Sequence, residues 1–88
     1  MDEIQDRFEE AVARSKTLTT RPDNQTLLKI YALYKQATLG DVQGDMPGFV
    51  DMVGRAKHEA WEELQGKSQE QAMKDYIALI DRLADEAF

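Results

Sequence analysis

The sequence predicts an all-α protein, a four-helix bundle with antiparallel helices and one long connection. Apolar residues recur every three or four positions in four segments, and no segment shows the strict alternation of a half-buried strand. Proline, glycine and capping residues separate the four segments. The chain has 88 residues, and a chain of that length is expected to bury about 60–65% of its unfolded surface. We therefore expect residues 1–88 to form a single domain with one core.

The first two helices are predicted from their apolar stripes and their end signals. The first covers about residues 2–16, with acidic residues in its first turn, where the helix dipole favours them. Its stripe consists of Ile4, Phe8, Ala11, Val12 and Ser15. The second begins after the segment 21–23, because Pro22 suits a helix start, and Gly40 ends it after Leu39. Its apolar arc is wide, so we expect contacts with neighbours on two sides, or with a neighbour and a ligand.

The last two helices follow a loop, residues 40–47, that contains two glycines and two aspartates. The third helix is predicted to start near residues 47–49 and to end before Gly66. Its stripe consists of Met52, Val53, Ala56, Ala60 and Leu64, and Trp61 is expected to anchor it in the core. Ser68 and Gln71 fit a capping box at the start of the fourth helix. The fourth stripe consists of Met73, Tyr76, Ile77, Ile80, Leu83, Ala84 and Ala87.

Composition and charge exclude several classes of function. Eleven basic and seventeen acidic residues give a net charge of −6, which argues against a general binder of nucleic acid or of anionic membranes. The chain has no cysteine, hence no disulfide and no thiolate metal site, and we expect no metal. Its acidic first residues contain no apolar run, so we expect neither a signal peptide nor stable membrane insertion. The expected protein is a cytoplasmic monomer.

The residues do not suggest an enzyme. Ser15 and Ser68 have no histidine at the spacing of a catalytic motif. The acidic pairs 9–10 and 62–63 are consecutive, and consecutive residues of a helix point about 100° apart, so their carboxylates do not converge on a substrate. His58 is the single histidine and is expected to be exposed. The chemistry indicated by the sequence is therefore binding.

The second helix carries the most informative combination of side chains. Tyr31, Tyr34 and Lys35 share an arc of about 100° on that helix. Two phenols and an ammonium on one face suit a ligand with a flat ring and a phosphate, because the rings stack and the lysine supplies charge. The basic residues that lie beside apolar stripes or at helix ends are Lys16, Arg21, Lys35 and Lys57.

The segment 31–41 resembles the acyl-CoA-binding proteins. The resemblance continues in the segments 41–48, 57–66 and 68–77, and it covers nearly the whole chain, from about Phe8 to Leu83. It implies the four-helix bundle of the acyl-CoA-binding-protein type. It also implies an intracellular carrier or buffer that binds medium- and long-chain fatty acyl-CoA esters and needs no cofactor. The implied partners are enzymes that produce or consume acyl-CoA.

The resemblance assigns the nucleotide end of the ligand to particular residues. Lys35 and Lys57, with the hydroxyl of Tyr31, are assigned to the 3′-phosphate of CoA, and Tyr34 is assigned to the adenine ring by stacking. Lys16 matches another basic residue at the nucleotide end.

Further residues are expected to contact the rest of the ligand. By the resemblance, Tyr76 matches a tyrosine that closes the site near the adenosine and the pantetheine. The expected walls of an acyl-chain groove are Phe8, Val12, Leu27 and Leu28. Two positions depart from the family pattern: Val53 stands where several relatives have a lysine, and His58 stands where an aromatic residue is common.

Two other functions fit the residues alone. The face formed by Tyr31 and Tyr34 could dock a partner helix, which would make the chain an all-helical protein-interaction module. The chain could also be an accessory domain that senses CoA for an enzyme.

Overall fold

The computed structural model describes residues 3–86, and these residues form four α-helices and no strand. The helices are α1 (Glu3–Ser15), α2 (Asn24–Leu39), α3 (Met52–Glu62) and α4 (Gln69–Glu86). The predicted all-α, four-helix fold is confirmed. Asp2 and Ala87, which the sequence assigned to the first and last helices, lie outside the described residues.

The four helices form a flattened bundle. α4 contacts both α1 and α2, and α3 packs against the other side of α2. The molecule measures 38 × 31 × 16 Å, and its thinnest dimension is little more than the diameter of one helix, about 10–12 Å. α2 thus has neighbours on two sides, as its wide apolar arc predicted. In the described part of the chain, every helix is too short or too polar to span a membrane.

The core lies where α1, α2 and α4 meet. Its buried apolar residues are Phe8, Ala11, Ala32, Leu33, Ala37, Ala72, Tyr76, Ile77, Leu79 and Ile80. They include the centres of the stripes predicted for α1 and α4. α3 has no buried residue, and its partly buried apolar side chains stabilise it less than full burial would. Other contacts must therefore fix the position of α3.

Side-chain and glycine caps set four of the eight helix ends, at the starts of α2, α3 and α4 and at the end of α2. Asp23 precedes α2, and its Oδ1 accepts a hydrogen bond from the Thr26 backbone N–H at 2.7 Å. This bond holds the pKa of the Asp23 carboxyl below its usual value. Ser68 Oγ accepts from the Gln71 N–H at 3.0 Å, which is one of the two bonds of the predicted capping box, while the Gln71 side chain donates to Asp75 Oδ1 at 2.8 Å. Gly40 ends α2 with a φ of 82°, a value that favours glycine.

The start predicted for the third helix was wrong. α3 begins at Met52 because Asp51 caps it, with Oδ1 accepting from the Gly54 N–H at 2.8 Å. Gly54 has no Cβ, and a Cβ at that position would clash with the Asp51 carboxylate. The residues from Pro47 to the cap form a loop, which is held by a 3.0 Å hydrogen bond from Arg55 Nη1 to the Pro47 carbonyl. Proline and an apolar run indicated a helix start here, but the aspartate cap determines it.

A buried glutamine joins three segments of the chain. Gln36 of α2 is inaccessible to solvent, and its Nε2 donates to Asp41 Oδ1 at 2.8 Å and to the Lys67 carbonyl at 2.7 Å. Its Oε1 accepts from the indole Nε1 of Trp61 at 3.1 Å, and the same Nε1 donates to the Gly40 carbonyl at 2.8 Å. Gln36 therefore connects the end of α2 to α3 and to the α3–α4 turn.

Asp41 extends this network. Its Oδ1 also accepts from the backbone N–H of Gly66 at 2.8 Å. The hydrogen bonds from Gly66 and Gln36 hold the pKa of the Asp41 carboxyl below its usual value. Trp61 is partly buried, and its indole N–H connects α3 to the end of α2. Among the described residues, the side chains that form the core or pack against it do not include Trp61, so its predicted role as a core anchor was wrong: it holds α3 through hydrogen bonds.

Gln36→Ala should destabilise the fold. The substitution removes three hydrogen bonds and leaves a cavity, so we expect the free energy of unfolding to fall by about 2–4 kcal/mol. Gln25→Ala, at an exposed position of the same helix, is the matched control and should change it by less than about 0.5 kcal/mol. Urea unfolding of both variants measures the difference. Equal stabilities of the two variants would contradict the structural role of Gln36.

Candidate functional site

Two cationic side chains approach one phenol ring at the seam between α2 and α3. Lys35 Nζ lies 5.7 Å and Lys57 Nζ lies 5.1 Å from the centroid of the Tyr31 ring. Tyr31 and Lys35 are one turn apart on α2, whereas Lys57 belongs to α3. Within residues 3–86 neither ammonium forms an ion pair. Two like charges without a carboxylate partner make a positive site that suits a phosphate.

An apolar groove begins at this positive site. The groove has a volume of about 540 Å³, which falls within the usual range of small-molecule sites, roughly 300–1,000 Å³. It is lined by Arg21, Asn24, Leu27, Leu28 and Tyr31 on one side and by Met52, Val53, Ala56 and Lys57 on the other. The walls are mainly apolar and the basic residues lie at the rim. Such a groove fits an amphiphile with an anionic head and an apolar chain.

Three aromatic rings form a cluster where α1, α2 and α4 meet. The Phe8 ring lies 6.0 Å from that of Tyr34, nearly parallel to it, and 5.1 Å from that of Tyr76, edge to face. Tyr34 is 39% exposed, so its ring has surface available for a planar ligand. Tyr76 is buried, and this burial raises the pKa of its hydroxyl, as Tyr34 also does, while a hydrogen bond with Ser15 opposes the shift. The phenol of Tyr76 is therefore neutral and lies behind Tyr34.

Six predicted site residues do not line the groove: Lys35 lies beside it on the Tyr31 ring, Tyr34 and Tyr76 belong to the aromatic cluster, and the other three lie on α1 or just after it. Phe8 is buried in the core, because its ring packs between Tyr34 and Tyr76. Val12 is partly buried against the same core. Lys16 is exposed just after α1, where its backbone N–H donates to the carbonyl of residue 13. Of the four predicted groove walls, Leu27 and Leu28 line the groove described above.

The two departures from the family pattern lie on different faces of α3. Val53 is 67% exposed and lines the groove one turn before Lys57. His58 is mostly covered, with its Nε2 4.0 Å from Glu62 Oε2, so the predicted exposure of His58 was wrong. His58 lies three residues before Trp61 and shares the face of α3 whose indole bonds to α2.

Sequence reasoning missed several groove residues. Arg21 and Asn24 lie at one end of the groove, and Met52 and Ala56 form part of its α3 wall. Met52 and Ala56 were read as core residues because they recur at helical spacing. The signal that distinguishes them is the lysine at position 57, which places a charge beside that stripe.

Two other depressions in the structure fit an anionic ligand less well. One, of about 450 Å³ on the other side of the α2–α3 seam, has Glu59 and Glu63 in its wall, and these carboxylates would repel a phosphate. The second, of about 400 Å³ between α2 and α4, is lined by Lys29, Lys67 and Arg82, but it also contains Asp75, which forms an ion pair with Lys67 and would repel a phosphate. Of these three depressions, only the groove beside Tyr31 has a basic rim without a carboxylate.

Comparison with known proteins identifies the family. The family model described as acyl-CoA-binding protein matches residues 5–80. The acyl-CoA-binding protein of Saccharomyces cerevisiae is 54% identical over 76 residues, which cover 86% of this chain and 87% of the relative. Acyl-CoA-binding protein homolog 1 of Caenorhabditis elegans is 49% identical over 76 residues, covering 86% and 88% of the two chains. The crystal structure of Oryza sativa acyl-CoA-binding protein 2 matches with a TM-score of 0.92 at 43% identity, covering 96% of this chain and 93% of that chain. The chain therefore belongs to the acyl-CoA-binding protein family, as its sequence motifs predicted.

Proposed function

We propose that the protein binds medium- and long-chain fatty acyl-CoA esters and acts as an intracellular carrier and buffer of them. The observation that carries the proposal is the position of Lys35 and Lys57 over the Tyr31 ring, which lines an apolar groove, with no ion-pair partner for either ammonium among residues 3–86. Relatives that bear the name acyl-CoA-binding protein support the same ligand.

In this proposal the phosphate-rich end of the ligand lies at the α2–α3 seam. Lys35 and Lys57 bind the 3′-phosphate together with the hydroxyl of Tyr31, and the exposed part of the Tyr34 ring stacks on the adenine. Lys16 contributes charge at the nucleotide end. The acyl chain follows the groove, whose walls include Leu27, Leu28, Met52 and Val53. Tyr76 is buried in the core, and its main role in this proposal is to pack against the Tyr34 ring that stacks on the adenine.

The proposed role is binding without chemical change, and it requires no cofactor. The thioester would be held in the groove and shielded from hydrolases, then released to enzymes that consume it. We further propose that the protein works as a monomer in the cytoplasm, where a chain without cysteine loses nothing to the reducing conditions. A partner helix on the Tyr31 face is not favoured, because an apolar helix would desolvate Lys35 and Lys57 without pairing them.

Removing one ammonium should weaken acyl-CoA binding. A hydrogen bond to a charged group contributes roughly 1.5–3 kcal/mol, so Lys35→Ala should raise the Kd for palmitoyl-CoA about 10- to 150-fold. Lys57→Ala should act similarly, and both variants should keep the melting temperature of the parent. Lys74→Ala is the control, since Lys74 is an exposed lysine of α4 with a Glu70 neighbour at 3.8 Å. Calorimetric titration in which Lys35→Ala binds like Lys74→Ala would refute the phosphate assignment.

Affinity should rise with the length of the acyl chain until the groove is full. Each methylene withdrawn from water contributes about 0.8 kcal/mol, or roughly a fourfold change in Kd. We therefore expect affinity to increase from hexanoyl-CoA to about palmitoyl-CoA and then to level off. Free CoA and palmitate each offer part of the ligand and should bind much more weakly. The measurement is a calorimetric series at fixed salt, below the micelle concentration of each ligand.

Equal affinities for different ligands of this series would contradict the proposal. If CoA bound as well as palmitoyl-CoA, the protein would recognise the nucleotide alone and would be a CoA sensor. If palmitate bound as well as palmitoyl-CoA, the basic site would contribute nothing and the carrier proposal would be wrong.

A further inference from the structure

Four large apolar side chains are exposed within five consecutive positions before and at the start of α3. Phe49 is 85%, Val50 101%, Met52 77% and Val53 67% exposed. We call these four residues the 49–53 surface. The residue between them, Asp51, uses its carboxylate to cap α3. Single exposed apolar residues are common in soluble proteins, but a contiguous group of this kind marks an interaction surface.

Specific contacts fix the conformation of the loop that carries this surface. The Arg55 guanidinium lies 4.6 Å from the centroid of the Phe49 ring, and the same group donates to the Pro47 carbonyl at 3.0 Å. The Asp51 N–H donates to the Gly48 carbonyl at 3.1 Å. The loop is thus fixed at both ends while the apolar side chains point away from the core.

Charge and position indicate what this surface meets. Lys57 is assigned to the ligand, so the charges beside the 49–53 surface are Arg55, which lies on the Phe49 ring, and two carboxylates, Asp51 in the cap of α3 and Glu59 in a depression that Phe49 also lines. Apolar side chains with a basic neighbour favour the boundary between lipid headgroups and acyl chains. There the apolar groups are buried and the basic group contacts the lipid phosphates. A zwitterionic bilayer fits better than an anionic one, because the net charge of the molecule opposes a negative surface.

The surface is also continuous with the proposed ligand groove. Met52 and Val53 belong to the 49–53 surface and line the groove as well. Phe49 and Val50 lie outside the groove lining. An acyl-CoA in a bilayer has its chain among the lipid tails and its phosphates at the headgroups, which is the same order as the apolar walls and basic rim of the groove.

We propose that the 49–53 surface docks the protein on a phospholipid bilayer, with Phe49 and Val50 entering the headgroup boundary. The docked protein then loads or releases acyl-CoA through the adjacent groove mouth. This docking role rests on the proposed function, since acyl-CoA is the lipid that it delivers.

The test compares the parent with two variants and one control. The double variant Phe49→Ser, Val50→Ser removes the leading apolar side chains, and Val50→Glu places a charge at the most exposed one. Leu39→Ser, at a 61% exposed position at the end of α2, is the control. Three quantities are measured: association with phosphatidylcholine vesicles by flotation, the rate of palmitoyl-CoA extraction from those vesicles, and the solution Kd for octanoyl-CoA without vesicles.

We expect the parent and Leu39→Ser to float with the vesicles and to extract palmitoyl-CoA at equal rates. For both 49–50 variants, the vesicle-bound fraction and the rate of palmitoyl-CoA extraction should fall by about tenfold or more. The reason is that the variants bury less apolar side-chain surface in the bilayer. Their solution Kd for octanoyl-CoA should equal that of the parent, since neither residue lines the groove.

Other results would overturn the docking proposal. These are a parent that does not associate with the vesicles, 49–50 variants that associate like the parent, or 49–50 variants that lose affinity in solution. A parent that forms dimers through the 49–53 surface, dissociated by Val50→Glu, would also overturn it. A parent that binds vesicles but no octanoyl-CoA would refute the proposed function while supporting the docking surface.

Discussion

The position of α3 depends on the hydrogen bonds of the buried Gln36 side chain. α3 has no buried residue, so apolar packing contributes less to its placement than it does for the other helices. The indole N–H of Trp61 is shared between Gln36 and the Gly40 carbonyl, and Gln36 also donates to Asp41 and to the carbonyl of residue 67. A buried amide with its hydrogen bonds satisfied in one arrangement resists sliding of the helix, because each lost bond leaves a polar group unpaired.

The geometry of the proposed binding site depends on this constraint. Tyr31 and Lys35 belong to α2, and their distance of 5.7 Å is set within that helix. Lys57 belongs to α3, so its distance of 5.1 Å to the Tyr31 ring exists only when α3 is held against α2. The same seam forms the groove, since its walls come from both helices. An acidic protein can thus bind an anionic ligand, because a local pair of cations outweighs the distant charges that solvent and salt screen.

Helical periodicity and end signals predicted most of the fold. They did not reveal the hydrogen bonds of Gln36, which position α3. The core positions Phe8, Tyr76 and Ile80 follow from apolar spacing along one helix. Gln36 could not be predicted in this way, because its partners lie 5, 25 and 31 positions away in the chain. The start of α3 was misplaced for a different reason: Asp51 caps the helix by a local bond, but Pro47, four residues earlier, indicated an earlier start. For the site, spacing placed Tyr31 beside Lys35, but only the resemblance to a family linked them to Lys57. The sequence did not predict that Met52 lines the groove, because the apolar residues of an exposed groove wall and those of a core stripe recur at the same helical spacing.

In the proposed complex, an acyl-CoA lies in the groove between α2 and α3, with its nucleotide toward Tyr34. The direct measurement is a set of intermolecular nuclear Overhauser effects between palmitoyl-CoA and the protein, labelled at its leucine and valine methyl groups and its tyrosine rings. The account predicts contacts from the chain methylenes to the methyl groups of Leu27 and Val53, and from the adenine protons to the Tyr34 ring. Contacts of the chain with Leu64 and Leu79, which line the other two depressions, would contradict it.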